Sequence, residues 1–240
     1  PSTALPRWSR FVTDLEAANT QTQEVFATEG AVIAAAATPL QWLRPSDHDP
    51  DRMPIGEVIA IEPGDAPETE LPVGAGRVRG LVLHKLMEEL FTGELVEERS
   101  DIAARARLLM TQLIIDADED AQLPDPEEIA ATIERTLALP EIARLRPSLV
   151  PEWPIYAILS ASSEPAALAG RIDAIGLQDN QPVVVVDWKS DVSPSEQDVR
   201  GHSAQVANYL HATGVPRGAI VYMTTGVIRW VTASTPQGDA

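Results

Sequence analysis

Two carboxylates and one amine stand out in the segment GRIDAIGLQDNQPVVVVDWKSD, residues 170–191. Asp187 and Lys189 close a run that begins at Pro182 and continues through four valines. Four consecutive valines read as a strand buried on both faces and central in its sheet. Charged groups emerging from the end of such a strand need a reason. Side chains alternate along a strand, so Asp187 and Lys189 share one face and Trp188 takes the other. In the preceding strand Asp173 is expected to share a face with Arg171 and Ile175. Register decides whether the two acids meet. A three-residue loop, Asp179–Gln181, sets Asp173 opposite Asp187, whereas a two-residue turn at Asp179–Asn180 sends them to opposite faces. Pro182 has no N–H to donate and tolerates the longer loop as a first strand residue. Facing carboxylates destabilise a sheet unless something lies between them, and such oxygens suit Mg²⁺. The plainer alternative is a Lys189–Asp pair at a sheet end, with solvent handling the rest. The D-x-K triplet by itself favours that alternative.

Two further groups of residues bear on the choice. Gln205 and Tyr209, four apart, share one helical face; as an isolated pair they read equally well as a partly buried amide and a core-edge aromatic. His84, in GLVLHKLMEEL, flanks an apolar face made by Leu83, Leu86, Met87 and Leu90. A lone histidine there is more often packed than a ligand.

The elements that must hold these residues can be read from period and punctuation. After Leu149, strands are expected at 153–159, 169–177 and 182–188, then a helix over Ser195–Ala212 with Ser195 as its cap. A last hairpin, 217–223 with 227–231, turns across Thr224–Gly226. Upstream the pattern is helical: Arg77–Phe91, Asp101–Ile115 and Pro126–Ala138, the last with proline in its first turn and Glu127 and Glu128 behind it. Before these lie a helical stretch within Phe11–Ala37, an acidic loop at 47–54, a short strand at 57–61 and a Pro/Gly-rich loop at 62–76. The expected organisation is a linker and helical or irregular lead-in over 1–75, a helical part over 76–148 and a sheet core over 149–240.

Composition excludes several classes. The 240 residues carry 36 Asp plus Glu against 18 Lys plus Arg, a net charge of −18, and no cysteine. Disulfides, thiolate zinc sites and iron–sulfur clusters are therefore ruled out. No apolar run approaches the roughly 18 residues of a membrane span. The opening PSTALPRWSR lacks the apolar core of a signal peptide, and without an initial Met the chain is expected to be a piece of something longer. GAGRVRG (74–80) departs from a dinucleotide fingerprint in its last glycine and follows no strand. Asp47, Asp49 and Asp51 lack the glycine and closing glutamate of a calcium loop. No GxxxxGK[ST] run exists, so no ATP site of that kind is expected. The acidity argues against a protein that coats phosphate backbones.

Together, Gly80-x-x-x-His84, Glu152, Gly170-Arg-Ile-Asp173, Val186-Asp187-Trp188-Lys189 and Gln205-x-x-x-Tyr209 resemble, in order and rough spacing, the PD-(D/E)XK nuclease superfamily. Specifically, the set is similar to the RecB/AddA-type nuclease domain at the C-terminus of bacterial UvrD-like helicase–nucleases. These elements span residues 80–209, and residues 1–70 carry no such motif. The resemblance implies an α/β, restriction-endonuclease-like core, a mixed central sheet flanked by helices, plus a helical N-terminal portion. It implies that His84, Asp173 and Asp187 bind Mg²⁺ or Mn²⁺ with the Trp188 backbone carbonyl as a further ligand. Lys189 is then implied to orient or activate the attacking water and to stabilise developing negative charge, in keeping with the demands of phosphodiester hydrolysis. Gln205 and Tyr209 are implied to position the scissile phosphate or the DNA strand, and Glu152 either to support the metal shell or to be structural. Implied partners are single-stranded DNA, helicase domains in cis and a second nuclease or helicase subunit, with no membrane. The implied setting is double-strand-break processing at the nucleoid, in a bacterial cytoplasm. Some relatives surround this core with four cysteines and an iron–sulfur cluster; a chain without cysteine is outside that branch. Two rival readings remain: a stand-alone exonuclease of the same superfamily, and a non-catalytic module that holds a partner or a DNA strand.

Overall fold

The computed structural model describes residues 23–36, 41–46, 55–62, 76–113, 123–159 and 166–233. By its contacts the chain divides into two units, Pro1–Leu40 and Gln41–Ala240. The first contains helix α1 (Gln23–Ala36), Ala-rich and exposed along its described side chains. The second contains the sheet and the helices around it.

Strand order follows from which edges the apolar runs can share. β4 (Ala166–Gln178) is paired along one whole edge with β3 (Leu149–Leu159), antiparallel. Its other edge is shared end to end by two strands. β1 (Gln41–Leu43) pairs in parallel with Ala166–Leu168, and β5 (Gln181–Lys189) pairs antiparallel with Ala174–Gln178. Beyond β5 come β6 (Arg217–Tyr222) in parallel, then β7 (Val227–Ala233) and β2 (Ile55–Ile61), both antiparallel. The mixed sheet that the resemblance implies is present, and the strand of the valine run, β5, lies inside it with Val184–Trp188 buried.

Helices cover both faces. On one lie α2 (Gly76–Thr92), α3 (Arg99–Leu113), α4 (Pro126–Ala138) and the short α5 (Pro140–Leu145), which was not expected. Leu83, Leu86, Met87 and Leu90 of α2 pack with Ala174, Val186 and Trp188 of the sheet. Asp125 caps α4, accepting from the Glu127 N–H behind Pro126. On the other face α6 (Glu196–Thr213) starts with a Ser195–Asp198 capping box and stops at Gly214, where φ is +70°. Val206, Tyr209 and Leu210 of α6 pack on Leu168, Ile172, Ile175 and Val185.

Several boundaries differ from the sequence reading. β3 begins at Leu149, not 153, and absorbs Pro151 and Pro154, which an edge strand tolerates because half its N–H groups need no ladder partner. The lead-in expected over 1–75 supplies two strands of the sheet, β1 and β2. The acidic loop at 47–54 and the helical stretch before Gln23 lie outside the described residues. Among the described residues no helix is long and apolar enough to cross a membrane.

Candidate active site

Asp173 and Asp187 are brought together by a compromise between the two hairpin geometries. The turn is the two-residue one: Asp179 and Asn180 have φ of 51° and 60°, as a tight primed turn demands. Gln178 pairs with Gln181 and Leu177 with Pro182, a register that would separate the acids. A bulge at Val183 then restores the other register, so that Gly176 faces Val184 and Ala174 faces Val186. Pairing stops one step later. There β5 leaves β4, and the Asp173 carboxylate replaces a backbone acceptor: the Trp188 N–H donates to Asp173 Oδ2 at 2.8 Å.

Alternation also breaks at this point. Leu168 and Ile172 face α6, and so does Ile175, an odd number of residues beyond Ile172. Asp173 therefore does not share one face with both Arg171 and Ile175, which corrects the simple strand reading. On β3 the neighbouring Glu152 has φ of +54°, unusual for a residue with a side chain. The carboxylate of Glu152 accepts from Arg171 Nη1 at 2.9 Å, at the surface.

Around the fork the other residues converge. His84 reaches in from α2, its Nδ1 3.4 Å from Asp173 Oδ1. Gly80, one turn earlier, permits this approach, since a Cβ there would meet Ser190 Oγ at 2.9 Å. Arg79 locks the same contact: it donates to the Ser190 carbonyl at 3.0 Å, to Thr224 Oγ1 at 2.8 Å and to both oxygens of Glu128 on α4. Lys189 Nζ stands 2.8 Å from Asp187 Oδ2. That close ion pair is the one contact offsetting the Asp187 carboxylate, which is buried at 1% side-chain exposure and accepts no other hydrogen bond. Lys189 also donates to Gln205 Oε1 at 3.0 Å, Gln205 Nε2 donates to the Tyr209 hydroxyl at 3.0 Å, and that hydroxyl donates to the Arg171 carbonyl at 2.9 Å. This last bond satisfies β4 in the gap between β1 and β5.

Burial pushes the Asp187 carboxyl up to about 6, with the adjacent Asp173 adding to the shift and Lys189 opposing it. Burial by itself would lower Lys189, yet the charges of Asp187 and Asp173 raise it, so it stays protonated. His84 behaves alike: burial lowers it, and the bond and charge of Asp173 outweigh that. Tyr209 is raised, first by burial and then by Asp187, and remains a neutral donor.

The PD-(D/E)XK nuclease superfamily pattern matches residues 63–225 of the 240, a span that includes every residue of the fork. The chain belongs to the PD-(D/E)XK nuclease superfamily. A solved structure titled "Crystal structure of SSO0001" is similar at 20% identity, over 64% of this chain and 76% of that one, with a TM-score of 0.33. No curated protein matches significantly.

PD-(D/E)XK nucleases generally use divalent metals, and the donor set here fits one. It is hard oxygen and imidazole nitrogen, and it includes a buried carboxylate that only Lys189 offsets. The donors are adjacent but not converged: among the described residues no three His, Asp or Glu side chains already enclose a cation site. Asp173 is turned onto Trp188 and Asp187 onto Lys189. Two neighbours escaped the sequence reading. Arg79 read as an ordinary basic residue in the first turn of the expected Arg77–Phe91 helix, and only its burial reveals it. His202, whose Nδ1 lies 3.1 Å from the Tyr222 hydroxyl, is held below its usual range by burial and by Lys189. Its signal was the 202–205–209 spacing, one helical stripe with the residues already singled out.

Proposed function

We propose that this chain is a Mg²⁺- or Mn²⁺-dependent deoxyribonuclease that hydrolyses single-stranded DNA. We infer that it works beside a UvrD-like helicase in cis, with a second nuclease or helicase subunit, in double-strand-break processing at a bacterial nucleoid. The observation that carries the catalytic part is Asp187, buried beside Asp173 with only the protonated Lys189 to offset its charge. A charge so costly to bury is retained where a reaction uses it.

In this reading Asp173, Asp187, His84 and the Trp188 carbonyl hold the cation, which when bound polarises a phosphate oxygen and lowers the pKa of a water. Lys189 is positive at neutral pH, so it cannot take the proton of the water. It orients that water and offsets the charge that builds on the phosphate oxygens in the transition state. Gln205 and Tyr209 keep the Lys189 ammonium aimed at the fork, and so at the scissile phosphate. Glu152 acts at one remove, holding Arg171 beside the fork.

The test compares the chain with Asp187→Ala and Lys189→Ala on labelled single-stranded DNA with Mg²⁺. Loss of about a hundredfold or more in each variant is expected from removing a buried electrostatic group. Equal cleavage by all three would refute the assignment.

A second reading, a non-catalytic module that holds a DNA strand, draws on the unconverged donors. It predicts no heat on calorimetric titration with Mn²⁺. Binding that disappears in His84→Ala supports the nuclease instead.

A further inference from the structure

Along β4, on the face turned away from α6, a shallow trough leads to the fork. Leu43 and Leu168 point into the α6-side core, so their neighbours Trp42 and Ala167 point the other way. Register sets Trp42 of β1 and Ile158 of β3 on either side of Ala167, and Tyr156 beside Ala169. Trp42, Tyr156 and Ile158 are 64%, 79% and 65% exposed, while Ala167 between them is 3% exposed. The result is a floor of methyl groups with aromatic and aliphatic walls. Two residues further on stands Arg171, exposed, and then Asp173, about 20 Å from Ala167 at about 3.3 Å per residue.

Large apolar side chains exposed side by side on a sheet call for an occupant. Single-stranded DNA fits best. A chain of net charge −18 is poorly suited to grip DNA through phosphates. Unpaired bases offer another handle, because their faces stack on aromatic rings whatever their sequence, at about 1–3 kcal/mol per base. Duplex bases are stacked on each other and cannot do this. The trough is continuous with the fork on the same strand.

We propose that this trough binds single-stranded DNA by base stacking on Trp42 and Tyr156 and leads it to the Asp173–Asp187 fork, an inference that rests on the nuclease reading for what happens there. Ile158 and the Ala169 methyl complete the apolar bed, and Arg171 meets a phosphate as the strand turns into the site.

The full chain in EDTA is titrated by fluorescence anisotropy against a labelled 12-mer of thymidylate and an abasic 12-mer of the same length. The thymidylate strand is expected to bind and the abasic one to bind far more weakly. Trp42→Ala and Tyr156→Ala should each weaken thymidylate binding about 5- to 150-fold, with Trp42→Phe and Tyr156→Phe restoring most of it. Both positions are exposed, so unchanged circular dichroism melting is expected to accompany the loss. Photocrosslinking with 5-iododeoxyuridine supplies a measurement without substitution, and adducts on the peptides holding residues 42 and 156 are expected. Equal affinity for the two strands, unaffected alanine variants or adducts elsewhere only would overturn the proposal. So would a dimer that Trp42→Ala dissolves without changing DNA affinity, since the trough would then seat a second copy. Cleavage separates this inference from the reading beneath it. Cleavage abolished by Asp187→Ala but untouched by the trough variants at limiting DNA sinks the trough alone. A wild type that never cleaves, yet binds thymidylate through Trp42 and Tyr156, sinks the nuclease reading and leaves the trough.

Discussion

Lys189 reaches the fork with its charge aimed by three hydrogen bonds in series, through Gln205 and Tyr209 to the Arg171 carbonyl. Every donor in the series meets an acceptor, so its members hold one another in a single arrangement. Removing the middle member does more harm than removing the end. Gln205→Ala leaves Lys189 without that acceptor, whereas Tyr209→Phe leaves Gln205 Oε1 in place and forfeits the bond to Arg171. We expect kcat to fall about tenfold or more in Gln205→Ala, the worth of one charge-assisted bond, and less in Tyr209→Phe. KM should hardly move in either, and steady-state kinetics on a short single-stranded oligonucleotide would show the split. A larger rise in KM than fall in kcat would place both residues on the DNA instead. The types and spacing of Asp173, Asp187, Lys189, Gln205 and Tyr209 were legible in the sequence, because each lies on a regular element with a readable period. Their register was not. The Val183 bulge that reconciles a two-residue turn with facing acids leaves no mark among four identical valines.

At the level of elements, α2 is the piece that turns a sheet edge into a site. It carries His84 to the fork, Gly80 to Ser190, and two buried ionic anchors on its flanks. Arg79 binds Glu128 of α4, and Glu89 accepts from Arg105 of α3 at 2.6 and 2.8 Å. The bonds and charge of Arg105 hold Glu89 below the usual carboxylate range against the opposing effect of burial. Burial pushes Glu128 up, but bonds from Arg79 and Thr132 outweigh it and the net direction is also down. Both carboxyls thus bind protons less readily when folded. The stability they lend is complete above the unfolded value of about 4.5 and is lost as pH falls through their lower folded values. Urea titrations should show Glu89→Gln less stable than the parent by about 1 kcal/mol at pH 7, discounted for the partly exposed Arg105. The gap should narrow as pH falls below about 4.5 and vanish once Glu89 is protonated in the folded protein. A gap that stays constant with pH would mean that the pair contributes packing and no charge. The amphipathic stripe of α2 was plain in the sequence, but neither anchor was, because ion pairs between helices depend on packing and not on spacing along one of them.

The whole molecule joins a recognisable motif span to pieces that precede it. The superfamily pattern begins at residue 63, yet β1 and β2, at 41–43 and 55–61, complete two edges of the same sheet. The sequence predicts a strand at 57–61, which is β2, but not its place in this sheet, and it misses β1 because three residues carry no period. A chain starting at residue 41 should keep the parent's thermal transition. One starting at residue 76 would bare the edges of β4 and β7 and should melt lower, by about 2–4 °C per kcal/mol lost, or aggregate. Charge acts at the same scale. With −18 overall, the molecule offers DNA few cations near the fork, chiefly Lys189 and Arg171, the latter already paired with Glu152. Counterion release scales with phosphates neutralised, about 0.7 ions per contact on a single strand, so two contacts give a log–log salt slope near −1.4. Binding of the thymidylate 12-mer, followed from low to moderate NaCl in EDTA, should therefore weaken only gently. A slope steeper than about −4 would require six or more phosphate contacts. That would reveal a basic track that the described surface does not display and would shift the grip on DNA from bases to backbone.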